Sequence, residues 1–204
     1  MGNRYKRVIK KGEIIAAARR CFAKHGFART TVEDIARVVG IKAGSLYHYY
    51  DSKETIFREV IIGEGKEMLG WLKGEVTKEK TAKKKVLRYI RARLEHFRSM
   101  TNLLDVSIQV VVEVAPLVDK LYREYLDQEV SFLAGIINSG IKDGSFLPCN
   151  GLRIASAILT MSESVKYKAF RMADTLSASE VDYSAVDKEV SYITELILAG
   201  VAND

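Results

Sequence analysis

Apolar residues recur along most of this chain at spacings of three and four, which is the period of an amphipathic α-helix. The first stripe, Ile14, Ala18, Cys21 and Phe22, predicts a helix over about residues 10–25, and Gly26 is placed to end it. Later stripes are separated by glycine, proline or polar runs, and no long alternating β-branched run appears. The pattern therefore predicts an all-α protein of about nine helices.

The predicted helices divide into a head, residues 1–52, and a larger body, residues 53–204. The head holds a basic arm over residues 1–11, the first helix, and two short helices on either side of Gly40. In the body, Pro116 is expected to separate a sixth helix from a seventh, because proline removes a backbone hydrogen bond. The polar, lysine-rich run after the fourth helix is interpreted as a solvated loop.

The segment from Thr31 to Tyr49 has the pattern of a helix-turn-helix, in which two short helices cross steeply after a tight reversal. Thr31 with Asp34, or Thr30 with Glu33, is spaced like a capping box at the start of the first of these helices. A small apolar core is available to the motif from Ile35, Ala36, Val39, Ile41 and Leu46.

Charge strengthens this interpretation, because basicity is confined to the first quarter of the chain. Residues 1–53 hold 12 Lys and Arg against 4 Asp and Glu, whereas the whole chain has a net charge of +6. A basic head on a near-neutral body is typical of a protein that binds a polyanion. A solvated charged arm is the alternative, and Arg4, Lys6 and Arg7 fit either a minor-groove contact or disordered terminal charge.

Polar side chains around the predicted turn are candidates for DNA contacts. Lys42 and Ser45 begin the second helix of the motif and are candidates for base reading. His48 fits a phosphate contact or a solvated residue, and Gly44 would let the backbone approach DNA closely. Lys53 opposes the dipole of the helix that it begins, a cost that a bound phosphate would offset.

The run from Cys21 to Ile61 resembles the tetracycline-repressor (TetR) family of bacterial regulators. The matching positions are Gly26, Phe27, Thr31, Asp34, Ile35, Ala36, Gly40, Ile41, Gly44, Ser45, Leu46, Tyr47, Tyr50, Lys53 and Phe57. The resemblance implies a nine-helix regulator and favours a phosphate contact for Tyr47 over a core position. With it, the candidate DNA-binding set is Thr31, Lys42, Ala43, Gly44, Ser45, Tyr47, His48 and Lys53.

Tyr50 departs from the family pattern, which usually has phenylalanine there. We expect its hydroxyl to reach solvent or a phosphate. The ligand-binding part of the family varies so much that nothing specific transfers to the body.

The body offers candidates for a ligand pocket, which equally fit an ordinary core. Glu113 and Glu163 lie in apolar helices, where a carboxylate needs a partner or a ligand; pairing with Lys or Arg, or exposure, is the favoured interpretation. An aromatic and methionine lining would suit a medium-sized apolar molecule. The candidate ligand-binding residues are Trp71, Phe97, Met100, Leu104, Ile108, Glu113, Tyr122, Tyr125 and Met161.

Long apolar stripes on the last two predicted helices indicate self-association. The resemblance implies a four-helix dimer bundle there, with two recognition helices that read a palindrome. The predicted interface residues are Ile154, Ile158, Met161, Val165, Val190, Ile193 and Ile197.

Other classes of protein are disfavoured by what the sequence lacks. Its two cysteines, Cys21 and Cys149, are too few for a secreted disulfide scaffold, and no apolar stretch reaches the length of a membrane helix. No metal-ligand spacing, phosphate loop or nucleophile elbow is present, so we expect no metal, no cofactor and no enzyme activity.

The sequence therefore predicts a cytoplasmic homodimer that binds double-stranded operator DNA and leaves it when a small, largely apolar effector binds. One alternative is a protein that binds or sequesters small molecules and whose basic head is incidental. A weaker one is an enzyme that acts on an apolar substrate.

Overall fold

Helix α1, Gly2–Arg29, is the first of eight α-helices in the part of the chain that the structure describes. The computed structural model describes residues 2–103 and 107–203, apart from the side chains at 2–7, 103, 110, 113–115, 117–122 and 124. The other helices are α2 Val32–Val39, α3 Ala43–Leu46, α4 Lys53–Val76, α5 Ala82–Leu103, α6 Ile108–Lys142, α7 Gly151–Met172 and α8 Tyr183–Ala199. A short 3-10 turn covers Ala178–Glu180. The predicted all-α fold class is confirmed.

Residues 2–11 are helical and continuous with the rest of α1, so the predicted start of the first helix near residue 10 is wrong. Half of these ten residues are lysine or arginine, which are good helix formers, and no proline interrupts them. Gly26 has φ 77° and ψ 165°, which breaks the helical geometry at the predicted position, although one more turn follows to Arg29. Glycine adopts a positive φ without the steric cost that a side chain adds.

Pro116 lies inside α6 and does not end it, so the predicted sixth and seventh helices are one helix of 35 residues. A proline inside a helix costs about 3 kcal/mol, because one backbone hydrogen bond is lost. Helix α6 packs against α4, α5 and α7, and burial along its length outweighs that cost. This merger accounts for eight α-helices where the sequence predicts nine.

The described residues form three buried clusters, and α4 takes part in two of them. The first turns of α4 pack with α1–α3 in the head through Ile56, Phe57 and Val60. Its later turns pack with α5–α8 in the body through Leu72 and Val76. The predicted division between residues 52 and 53 falls at the start of this shared helix and stays a prediction. Because α4 belongs to both parts, any shift of it relative to the body moves the head.

Candidate DNA-binding site and effector-binding body

Helix α2 is fixed at both ends by its own sequence. Thr31 and Asp34 form the capping box: Thr31 N–H donates to Asp34 Oδ2 at 3.0 Å, and Asp34 N–H donates to Thr31 Oγ1 at 3.1 Å. Thr31 O–H also donates to Asp34 Oδ2, and these bonds hold the pKa of Asp34 below its usual value. Thr30, the alternative cap, is buried and donates to the carbonyls of Cys21 and Gly26. Thr31 therefore positions α2, and its contact with DNA stays a prediction.

Helix α3 follows Gly40, which ends α2 in the left-handed conformation at φ 73° and turns the chain toward Lys42. Leu46 is fully buried and anchors α3 in the head core. The structure brings six of the predicted contact residues together on or beside this helix. Lys42, Gly44, Tyr47 and His48 are exposed, and Ala43 and Ser45 are half-buried. This is the arrangement of a recognition helix, with donors outward and one apolar anchor inward.

Gly44 gives this surface an open centre. A Cβ atom added there would meet no heavy atom of the protein within 4 Å. The protein's own packing therefore does not require glycine at this position, whereas close approach of another molecule would. Lys42 caps α3 by its backbone only, and its side chain makes no capping bond.

Lys53 has an internal role that the sequence did not predict. Its ammonium donates to the carbonyls of Phe27 at 2.7 Å, Thr30 at 3.0 Å and Ala28 at 3.4 Å, and it lies 4.4 Å from the Phe27 ring centroid. Three acceptors match the three protons of an ammonium group. Lys53 thus ties the start of α4 to the α1–α2 turn, and its phosphate contact stays a prediction that competes with these bonds.

Tyr50 is buried, so the expectation that its hydroxyl reaches solvent or phosphate is wrong. The hydroxyl donates to Glu59 Oε2 at 2.7 Å, and Lys11 Nζ lies 4.5 Å from the ring centroid. Burial, with the hydrogen bond to Glu59, raises the pKa of Tyr50 well above its usual value. The extra hydroxyl therefore links the turn after α3 to α4.

A buried network of four charges joins α5, α6 and α7 inside the body. Arg93 donates through Nε to Glu129 Oε1 at 2.8 Å and also binds Glu163, while Lys166 Nζ lies 2.8 Å from Glu163 Oε2. Glu129 also accepts from Tyr89 O–H at 2.7 Å. The favoured interpretation of Glu163, pairing with Arg or Lys, is confirmed. Lys166 is three residues away on the same helix, but Arg93 lies on α5 and Glu129 on α6, so no local pattern identifies those two.

An apolar cluster lies beside this network, where α5, α6 and α7 meet the 3-10 turn. Its buried members are Val111, Phe170, Ala178, Val181 and Tyr183. The predicted ligand-binding residues Phe97 and Ile108 pack against it, and Lys166 Nζ lies 4.3 Å from the Phe97 ring centroid. Tyr125 is buried on α6.

Other predicted pocket residues lie elsewhere. Trp71 is 40% exposed and stacks on His96, and Met161 is 42% exposed, because helical periodicity does not distinguish a pocket wall from an outer face. Met100 points to the head, where Arg19 donates to its sulfur. Leu104 lies outside the described residues, as do the side chains of Glu113 and Tyr122.

Two clefts open on the described surface of the body, and neither contains a predicted ligand-binding residue. The first, about 460 Å³, lies between the end of α7 and the start of α8. The second, about 380 Å³, lies between the start of α5 and the later part of α6. The predicted ligand-binding pocket therefore stays a prediction.

The predicted dimer stripe belongs mostly to the monomer. Ile158 and Val190 are 1% and 5% exposed and lie in the body core, so they cannot form an interface. Ile154, Val165 and Ile197 are half-buried against the same core, and Ile193 is half-buried. A stripe facing the core has the same helical period as one facing a partner. The large apolar residues that α7 and α8 expose are Leu152, Met161, Met172, Tyr192 and Leu196.

Among the described residues, no helix is both long enough and apolar enough to cross a membrane. The same part of the chain holds no group of three His, Cys, Asp or Glu side chains that could bind a metal ion.

Comparisons with known proteins agree with the head and the fold. Residues 14–60 match the family model of "Bacterial regulatory proteins, tetR family". The HTH-type transcriptional repressor KstR2 of Rhodococcus jostii is 25% identical over 95% of this chain and 92% of its own.

Solved structures extend the similarity over the body. A transcriptional regulator from Cytophaga hutchinsonii is 27% identical, with a TM-score of 0.75 over 93% of this chain and 96% of its own. FadR of Bacillus subtilis, solved with stearoyl-CoA, shares the fold at 22% identity, with a TM-score of 0.71 over 92% and 97% of the two chains.

The exposed α3, its capped partner α2 and these matches define a DNA-binding transcriptional regulator of the helix-turn-helix class. Within that class, residues 14–60 carry the head of the TetR family of bacterial regulatory proteins, and the rest of the chain is similar to relatives named as repressors.

Proposed function

We propose that this regulator is a homodimeric repressor that binds a palindromic operator and is released by a small, largely apolar effector. The observation that carries the DNA-binding part is the α3 surface, where Lys42, Gly44, Tyr47 and His48 are exposed around a buried Leu46 anchor. The repressor names of relatives support the direction of regulation. Because it acts on the chromosome, we place it in the cytoplasm, and we propose no catalytic role for it.

The effector site is proposed at the apolar cluster beside the buried charges. Phe97 and Phe170 meet there edge to face with ring centroids 5.5 Å apart, so an apolar molecule that separated them would lie between aromatic walls. The relative solved with stearoyl-CoA supports an effector with a long apolar part. Displacement of α5 and α6 by such a molecule would reach the head, because α4 and α1 pack against them.

The dimer interface is proposed on the outer faces of α7 and α8. Leu196 and Tyr192 are one helical turn apart and are 55% and 59% exposed. Leu152 and Met161 are exposed on α7, which packs beside α8. Large exposed apolar side chains on neighbouring helices are typical of a surface that a partner covers.

Fluorescence titration of a labelled palindrome from the gene's own upstream region tests the proposal. At physiological salt we expect binding at least about 10³-fold tighter than to a scrambled duplex. Ser45→Ala should cost about 1–3 kcal/mol on the matched palindrome only, if Ser45 reads a base. Micromolar binding of equal strength to both duplexes would contradict the proposal that the protein is a sequence-specific regulator. If the protein then also bound a small molecule tightly, a protein that sequesters small molecules would be favoured. Native mass spectrometry of the purified protein identifies an effector that remains bound.

A further inference from the structure

Arg19 is the polar link between the head and helix α5 of the body. It lies on α1, and its Nη2 donates to Met100 Sδ on α5 at 2.8 Å. Its Nε lies 2.9 Å from Glu64 Oε1 on α4. The guanidinium of Arg19, carried by α1, therefore contacts both α4 and α5 where the head joins the body.

The hydrogen bond from Arg19 to Met100 crosses directly from the head to the body, because it joins α1 to α5. Other polar ties of the head, such as Tyr50 to Glu59, end on α4, whose first turns pack in the head core. Helix α1 also lies against α6, where no described hydrogen bond joins the two helices. The angle between the head and α5 therefore depends on packing and on this one side chain.

The pairing at the joint is imperfect. Arg19 Nε lies within ion-pair distance of Glu64 Oε1, but neither Nε nor the buried Glu64 Oε2 makes a hydrogen bond of good geometry in the described part of the chain. Burial raises the pKa of Glu64, although the charge of Arg19 opposes that shift. Native proteins satisfy nearly all buried polar atoms, so this imperfect pairing marks Arg19 and Glu64 as the residues to test at the joint.

We propose that Arg19 is a positioning residue, which sets the orientation of the head on the body and thereby the separation of the two recognition helices in a dimer. This role rests on the proposed function, because the separation matters only when two heads read one operator. A dimer that holds its heads at one separation prefers one spacing of half-sites. Loss of the link should leave each head able to read its half-site while the preference for one spacing weakens.

The test compares half-site binding with spacing preference in four full-length proteins. Met100→Leu keeps a side chain of similar size but removes the sulfur acceptor, and Arg19→Lys keeps the charge facing Glu64 but loses the second donor. Met172→Leu, on an exposed methionine of α7, is the matched control. Each protein binds a series of palindromes, selected from a random pool, whose half-sites are moved apart or together by one base pair at a time. A duplex with one half-site is measured in parallel.

The wild-type protein and Met172→Leu should prefer one spacing by about tenfold or more over its neighbours. Met100→Leu and Arg19→Lys should reduce that preference to about threefold or less, with half-site affinity unchanged. If Met100→Leu keeps the wild-type spacing preference, or if its affinity for the single half-site falls as much as its affinity for the palindromes, the proposed role of Arg19 is overturned. The proposed function would not be affected by either result. Failure of the wild-type protein to select any half-site would overturn the proposed function and this role together.

Discussion

At the scale of single residues, Lys53 illustrates how a sequence pattern and a structure can assign one side chain to different partners. Its position at a helix N-terminus is unfavourable for a cation, which from sequence indicates a bound phosphate. In the structure the carbonyls of the α1–α2 turn meet that ammonium instead. The turn ends one helix and precedes another, so its free carbonyls are a local source of negative potential that periodicity does not reveal.

Lys53→Ala should therefore destabilise the head. Removing hydrogen bonds from a charged donor should lower the free energy of unfolding by about 1–3 kcal/mol. Lys42→Ala, at an exposed position, should leave stability unchanged and lower the salt-dependence slope of DNA binding by about 1 if it contacts a phosphate. Denaturant unfolding and salt titration measure the two effects. Wild-type stability in Lys53→Ala would contradict the internal role.

Glu163 carries the clearest dependence on pH. Burial alone would raise its pKa, but the charges of Arg93 and Lys166, and hydrogen bonds from both, hold the pKa at about 2. A carboxylate whose pKa is lowered by folding stabilises the protein above its ordinary pKa and loses that effect as pH falls toward its folded pKa.

The Glu163→Gln variant should accordingly lose about 2–4 kcal/mol of unfolding free energy near pH 7, because two buried cations keep only Glu129 as a carboxylate partner. The difference from wild type should shrink as the pH falls from about 5 to 2. Glu189→Gln, at an exposed position on α8, is the control and should show little change. If the difference in unfolding free energy between Glu163→Gln and wild type stays constant from about pH 5 to 2, Glu163 is not ionised in the folded protein.

At the scale of elements, the sequence predicted most strongly those boundaries that local chemistry fixes. The Thr31 cap, the stop at Gly40 and the start of α4 after Ser52 all depend on side chains or dihedrals within four residues. The extent of α1 and the continuation of α6 through Pro116 depend instead on packing over distance. Local propensity carries no information about that packing, and both predictions were wrong.

Gly44→Ala tests whether α3 meets DNA closely. Alanine is the better helix former by about 1 kcal/mol, and the added Cβ meets nothing in the protein, so stability should hold or rise slightly. Operator affinity should fall about tenfold or more if the backbone approaches DNA at this point. Gly74→Ala, an equally open position near the end of α4, should leave affinity unchanged. If Gly44→Ala and Gly74→Ala bind the operator with equal affinity, Gly44 does not lie in the contact surface.

At the scale of the whole molecule, helical periodicity identified stripes but not what each stripe faces. Ile158 and Val190 were predicted as interface residues and lie in the core of a single chain. The proposed dimer interface therefore consists of the large apolar residues that α7 and α8 leave exposed. Whether an apolar stripe faces the core or a partner depends on how α6, α7 and α8 pack together. The residues within one helix do not reveal that packing.

Leu196→Asp should convert the dimer into a folded monomer, because it places an unpaired carboxylate in the interface twice per dimer. Sedimentation measures the mass, and circular dichroism checks that the chain stays helical. Leu126→Asp, at an exposed leucine of α6, should remain a dimer. Ile158→Asp should unfold, since that residue belongs to the core. If Leu196→Asp stays dimeric and keeps normal operator affinity, the outer face of α7 and α8 is not the dimer interface.

The central claim is that two heads of one dimer read one operator through α3. Hydroxyl-radical footprinting of the selected palindrome measures this directly, because each protected patch marks where a head shields the backbone. Two heads of one dimer should leave two patches on the same face of the selected duplex, about one helical turn or more apart, and a scrambled duplex should lack them. A single patch, continuous protection, or equal protection of the scrambled duplex would contradict it.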